Sequence, residues 1–183
     1  ENTYVALSVP TPGTSNEGSA VEILPAPVFN KKHGFYYAPF GLEISSGIQN
    51  TEIYYTTDGS LPGKDNGTLY TAPLNIQTTA IIRAVNTMDG YAPSKVTTRT
   101  YLFPDSVINQ PNDPPGYPAK WGPYVTIDDS AIADYEMDPE MMVLPGFADS
   151  VKEALLDIPT YSFVTDKGYI FSKLSCLLLI TYI

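Results

Sequence analysis

Between about residues 25 and 103 the apolar positions fall in short runs or alternate with polar ones, and turn-forming residues interrupt them about every ten positions. Leu42 and Ile44 alternate with Glu43 and Ser45, and residues 52–57 are β-branched and aromatic. Leu74 and Ile76 flank Asn75, residues 80–87 are rich in apolar groups, and residues 96–103 alternate threonine with larger side chains. A period of two puts one set of side chains on one face of an extended backbone, so the pattern predicts strands and not helices. Ser46-Gly47, Asp58-Gly59, Asn66-Gly67 and Asp89-Gly90 supply the turns, because glycine accepts positive φ at low cost. Roughly seven short strands in about 80 residues predict a mainly β fold, an antiparallel β-sandwich of immunoglobulin or fibronectin type. Its tyrosines are expected to fill the core, with their hydroxyls at the rim.

The flanks read differently. Residues 4–7 predict a short strand, and Pro10, Thr11, Pro12, Gly13, Thr14, Ser15 and Asn16 form a turn-rich linker. Six prolines between residues 104 and 123 (Pro104, Pro111, Pro114, Pro115, Pro118 and Pro123) keep either a helix or a central strand from running through, which sets a boundary near Phe103. Asp138-Pro139 predicts a helix start, with the carboxylate as cap and proline in the first helical position. A second helix is expected over 148–157, where Val151, Leu155 and Ile158 share a face and Pro159 ends it. Residues 160–165 then predict a strand. The resulting organisation is the end of a β module and linker over 1–20, the sandwich over 21–104, and a Pro-rich linker over 105–124. An incomplete α+β segment follows over 125–171, and then an atypical apolar tail over 172–183. Eight of the last ten residues are apolar, and such a terminus is expected to be buried or to aggregate.

Charge separates the two halves further. The chain of 183 residues carries 20 acidic against 10 basic side chains, a balance that excludes a nucleic-acid backbone as partner. Residues 1–103 hold 8 acids and 6 bases, whereas 104–171 hold 12 and 3. One cysteine excludes an internal disulfide and a multi-cysteine zinc cluster, and one histidine excludes an HExxH site. The longest apolar stretch, about ten residues, falls short of the roughly 20 that a membrane helix needs. No basic segment followed by an apolar run opens the chain, which begins at Glu1, leaving room for a leader already removed.

Specific residues carry a family likeness. Ile53-Tyr54-Tyr55-Thr56-Thr57-Asp58-Gly59-Ser60-Leu61-Pro62, then Leu69-Tyr70-Thr71-Ala72-Pro73-Leu74, Ile82-Arg83-Ala84-Val85, Ser94 and Thr100-Tyr101 together resemble the chitobiase/β-hexosaminidase C-terminal β-sandwich domain. The likeness covers about residues 25–103, and within it Asp58-Gly59 is expected to make the hairpin turn. The linker at residues 10–16 resembles the end of a lamin-tail-type β domain. Downstream, Pro115-Gly116-Tyr117-Pro118, Trp121-Gly122, the run Ala133-Asp134-Tyr135-Glu136-Met137-Asp138-Pro139 and residues 158–166 resemble the opening part of a CotH-kinase-like domain of secreted bacterial proteins. That likeness implies an extracellular or cell-surface location. Groups used for phosphoryl transfer in that family would lie beyond residue 183, and the chain from about Ser172 departs from the family pattern.

Chemistry-bearing residues are sparse. His33 follows Lys31-Lys32 in a predicted loop, no GxSxG elbow occurs, and no Walker spacing is present, so neither nucleophilic catalysis nor nucleotide phosphate binding has its required groups. Cys176 sits in the apolar tail with no nearby cation, the setting of an inert thiol. Asp134, Glu136 and Asp138 alternate, so on an extended segment they would share a face, near Asp128 and Asp129, as a candidate site for a hard cation; the other reading is a solvated loop with Asp138 as a cap. Asp58, Asp65 and Asn66 fit turn chemistry better than calcium binding. Tyr36, Tyr37, Tyr54, Tyr55 and Trp121 are the rings available to stack on sugar, with Tyr36, Tyr37, Tyr55 and Trp121 the candidate ligand residues. Because Tyr54 and Tyr55 are adjacent on a strand, only one of them can face outward. Asn66-Gly67-Thr68 matches the glycosylation pattern and equally a turn.

The expected function is therefore a noncatalytic accessory or spacer module, glycan-associated, of an extracellular or cell-surface multidomain protein. No cofactor is expected, and the expected partners are polysaccharide or neighbouring domains of the same protein. The alternatives are the N-terminal part of a CotH-kinase-like enzyme and an independent carbohydrate-binding module.

Overall fold

The computed structural model describes residues 5–7, 20–121 and 131–166. The linker at 10–16, Asp128, Asp129, Cys176 and the apolar tail lie outside the described residues. Strands β1 (Val5–Leu7) and β2 (Ala20–Glu22) form an antiparallel pair. Then follow β3 (Val28–Phe29), β4 (Gly34–Phe35), β5 (Phe40–Leu42), β6 (Ile44–Ser45), β7 (Glu52–Thr56) and β8 (Thr68–Leu69). Strands β9 (Leu74–Ile76), β10 (Ala80–Thr87) and β11 (Thr97–Leu102) complete the mainly β part. Helix α1 (Pro104–Ile108), the pair β12 (Lys120–Trp121) and β13 (Ala131–Ile132), and helices α2 (Pro139–Met142) and α3 (Phe147–Asp157) form the remainder.

Strands β5, β6, β7, β9, β10 and β11 fall on the stretches whose pattern predicts strands, and with the shorter β3, β4 and β8 they build a sandwich. One layer is a five-stranded sheet ordered β4-β11-β10-β7-β8; the ladders β3–β6 and β5–β9 supply the other. In the β7–β10 register, Ile53 opposes Asn86 and Tyr55 opposes Ala84, so these four share a face. On that side Ile53, Ile82, Ala84 and Asn86 are buried with Leu42, Ile44 and Ile76 of the ladders. Tyr70 ties the layers: its ring meets Tyr55 edge-on at 6.5 Å, and its hydroxyl accepts the Ile44 amide at 3.1 Å. The described residues divide into two compact units, one taking in those up to Lys32, Phe40–Ile76 and Ile81–Arg99, the other His33–Pro39, Gln77–Ala80 and those from Thr100 onward.

Two local expectations change. Asp58-Gly59 does not close a two-residue hairpin, because residues 57–67 join β7 to β8. Asp58 instead folds its own loop, its carboxylate accepting from the Ser60 amide at 3.0 Å and the Ser60 hydroxyl at 2.6 Å, with Gly59 at φ 85°. Gly67 has no positive φ; a Cβ there would meet the Gly63 carbonyl oxygen at 3.0 Å, so glycine serves close approach.

In the second unit, Tyr101 is fully buried and meets Tyr36 edge-on at 5.6 Å, while Phe103 lies 6.3 Å from the Tyr36 ring. Pro104, the first of the six prolines, starts helix α1 in its first turn. Lys152 of α3 bridges to Asp105 of α1, and the hydrogen bond to Asp105 holds the ammonium above its usual 10.5. Asp138 caps α2 by accepting from the Glu140 and Met141 amides, with Pro139 next, as the sequence predicts. Asp138→Ala is expected to cost about 1 kcal/mol of local stability, seen as roughly fivefold faster hydrogen exchange at the Glu140 and Met141 amides. Residues 159–166 form no strand, contrary to expectation. Tyr161 is 80% and Phe163 89% exposed, and strand preference expresses packing on a paired, half-buried surface that this segment lacks. Among the described residues, no helix is long and apolar enough to cross a membrane.

Candidate functional site

The sequence-predicted rings are placed in different settings. Tyr36 is half-buried against Tyr101 and Phe103, and Tyr55 is half-buried against Tyr70, so both have ring neighbours in the fold. Tyr54 lies on the opposite face of β7, where its hydroxyl donates to Glu52 at 3.3 Å. Tyr37 is 63% exposed. The side chain of Trp121 lies outside the described residues. The three alternating carboxylates have local tasks: Asp134 accepts the Glu136 amide at 3.2 Å, Glu136 accepts from Asn112 at 3.4 Å, and Asp138 caps α2. Among the described residues, no group of three or more His, Cys, Asp or Glu side chains is placed to hold a metal ion. His33 is exposed. The Asn66 side-chain amide donates to the Leu61 carbonyl at 2.8 Å and the Ser60 hydroxyl at 3.1 Å, which is turn chemistry.

A cleft that the sequence reading did not single out lies within the first unit, on the outer face of β10. Residues Glu52, Tyr54 and Thr56 of β7 and Arg83, Val85 and Thr87 of β10 share this face. It would ordinarily meet solvent, yet Val85 and Thr87 are 4% and 8% exposed. The cover is the 57–67 loop. Thr56 donates its hydroxyl to the Ser60 carbonyl at 2.7 Å, and Arg83 donates to the Gly59 carbonyl at 2.7 Å, which anchor the loop's first part to the sheet. The Gly63 amide bonds the Asn66 carbonyl at 2.9 Å and closes its tip.

Between this loop and the turn that follows β10 is a half-open cavity of about 350 Å³. Its floor is Val85 and Thr87, its loop wall Pro62, Gly63 and Lys64. The opposite wall is Met88, Asp89, Tyr91 and Pro93. Asp89-Gly90 makes that wall's turn, with Gly90 at φ 81° and the Tyr91 amide bonded to the Met88 carbonyl at 3.2 Å. Tyr91 is 38% exposed. The Thr87 hydroxyl is buried and makes no hydrogen bond within the protein.

Lys64 spans the rim, 3.3 Å from both Asp89 and Glu52. Hydrogen bonds to Asp89 first, then to Glu52, hold its ammonium above the usual 10.5. A lysine whose folded pKa is raised contributes stability fully present below its unfolded pKa and lost as pH rises through the folded value. The wild-type advantage over Lys64→Met in urea midpoint is therefore expected to hold at about pH 8 and to shrink above about pH 11. An advantage that persists unchanged in alkali would assign it to the stem's packing.

The arrangement offers a threonine at the floor, an ammonium and a carboxylate at the rim, and a ring beside them. It has the groups for noncovalent binding, and no nucleophile paired with a base. The sequence does hold a signal for it. Residues 80–87 carry apolar side chains on both parities, Ala80, Ile82 and Ala84 on one and Ile81 and Val85 on the other, as in a strand covered on two faces, and an aromatic directly follows the Asp89-Gly90 turn.

Comparison with known proteins agrees with the sandwich. No curated protein matches the chain. Residues 42–101, from the end of β5 into β11, match the family described as Fn3 associated, and this stretch is thereby similar to a fibronectin-III-associated β domain.

Proposed function

We propose that the chain is a noncatalytic accessory or spacer module, glycan-associated, of an extracellular or cell-surface multidomain protein. The observation that carries this reading is the coincidence of the family match with the sandwich, since residues 42–101 contain most of its strands and most of its buried apolar side chains. Fibronectin-III-associated domains are generally noncatalytic. The likeness to the chitobiase C-terminal domain supports the glycan association, and the likeness to secreted bacterial proteins supports the location. Incubation with ATP and acceptor proteins, and separately with aryl glycosides, is expected to give no turnover, while the chain co-sediments with insoluble polysaccharide. Turnover, or failure to co-sediment with chitin and cellulose, would overturn the corresponding part.

A second reading rests on a separate observation. Val143, Leu144, Leu156, Ile158 and Phe163 are all exposed, Phe163 to 89%. Exposed apolar side chains gathered on one segment are of the kind that an interface covers. They support the segment over 125–171 as the opening of a CotH-like enzyme domain, which predicts phosphoryl transfer by a chain that carries such a domain whole.

A further inference from the structure

We infer that the cleft between the 57–67 loop and the Asp89-Gly90 turn is the site where this module holds glycan, by binding a neutral sugar residue against Tyr91 with its hydroxyls on Thr87, Lys64 and Asp89. The inference rests on the glycan-associated reading and gives it a place. Its first support is Thr87. The residue lines the cavity of about 350 Å³ and is 8% exposed, and its hydroxyl oxygen, closed off from solvent as the side chain stands, has no partner in the protein. Leaving a buried hydroxyl unbonded is unfavourable, and a ligand group that can both donate and accept removes that penalty when a χ1 rotation turns the hydroxyl to the cavity. The cavity lies in the size range of small-molecule sites.

The second support is the chemistry of the rim. Two carboxylates, Glu52 and Asp89, surround one ammonium, so an anionic ligand meets net repulsion. A neutral ligand leaves the ion pair in place. Asp89 has a fully exposed side chain and accepts hydrogen bonds, Lys64 donates them, and the two stand 3.3 Å apart. Neighbouring hydroxyls on one sugar ring present a donor and an acceptor at such spacing. The apolar C–H face of the ring then covers Tyr91 and the Met88 side chain, as aromatic and thioether surfaces favour. A proline-rich peptide would suit Pro62, Pro93 and Tyr91, but it offers mainly carbonyls and adds no donor for Asp89 to the one Lys64 supplies.

The test uses the full chain, labelled with ¹⁵N and titrated with cellohexaose, chitohexaose and a proline decamer. Saturable shifts are expected with at least one of the two sugars at the Lys64, Thr87, Met88, Asp89 and Tyr91 amides, and none with the decamer. Tyr91→Ala is expected to weaken sugar binding about tenfold or more. Thr87→Val keeps the shape and removes the unbonded hydroxyl, so it is expected to weaken binding about threefold to tenfold while raising the thermal midpoint. A merely structural Thr87 would lower that midpoint. Sugar shifts centred on Tyr36 and Tyr37 would overturn this cleft and keep the glycan reading. Shifts in the cleft with the decamer alone would overturn the sugar assignment, and no sugar binding anywhere would overturn both.

Discussion

Asn86→Asp is expected to destabilise the protein by about 3–5 kcal/mol at neutral pH, the cost of a buried charge without a partner. Asn86 is fully buried in β10, where its side-chain amide donates to the Pro25 carbonyl at 2.8 Å and the Ser46 hydroxyl at 3.2 Å. Its backbone is tied as well, the Asn86 amide to the Ser94 hydroxyl at 2.9 Å and the Ser94 amide to the Asn86 carbonyl at 3.0 Å. One side chain thus links the strand to the segments before β3 and after β6. Aspartate replaces the two donors with an oxygen that repels the Pro25 carbonyl, and no cation is bonded there to compensate. Burial raises the pKa of such a carboxyl in the folded state above its unfolded value. The deficit is therefore small at about pH 4, grows as the unfolded chain ionises, and levels off above the folded pKa. Urea midpoints at about pH 4 and pH 7 measure it. A deficit independent of pH would mean that the carboxylate reaches solvent, and no deficit would place Asn86 outside the core.

Leu42→Ala is expected to cost about 2–5 kcal/mol. Leu42 is fully buried at the end of β5, opposite Leu74 of β9 in a two-stranded ladder too small to stand alone. The ladder depends on apolar contact for its place in the sandwich, so truncation removes burial and leaves a cavity. Leu61→Ala provides the contrast, because Leu61 is 62% exposed and its loss is expected within about 0.5 kcal/mol. Denaturant curves with unchanged slope report the difference. Equal costs at the two positions would contradict the assigned layers.

The regular strands were legible because their side chains alternate. Residues 74–76 and 97–102 carry enough positions to show a period of two, residues 52–56 are marked by their β-branched and aromatic side chains, and the structure puts strands on all three. Strands β3, β4 and β8 have two residues each and are too short to show any period. Hydrophobicity also marked residues 160–165 as extended, but a strand exists only with a partner. The Asp138 cap was legible because its chemistry is local: a carboxylate, a proline and the next two amides suffice.

The cleft was harder to see for the opposite reason. It depends on the 57–67 loop returning over β10, through bonds such as Arg83 to the Gly59 carbonyl across 24 positions, and no local pattern encodes that return. Among the rings, Tyr36 and Tyr55 looked as available as Tyr37. Their half-burial follows from which neighbours the fold supplies, Tyr101 and Phe103 for one and Tyr70 for the other.

Strand β10 carries the account on both faces, its inner side in the sandwich core and its outer side under the loop that walls the cleft. Native-state hydrogen exchange of the full chain tests this most directly. The Ala84, Val85 and Asn86 amides should be among the slowest in the protein and should exchange only with global unfolding, while residues 159–166 exchange as open coil. Exchange of those three amides at the rate of residues 159–166 would contradict it.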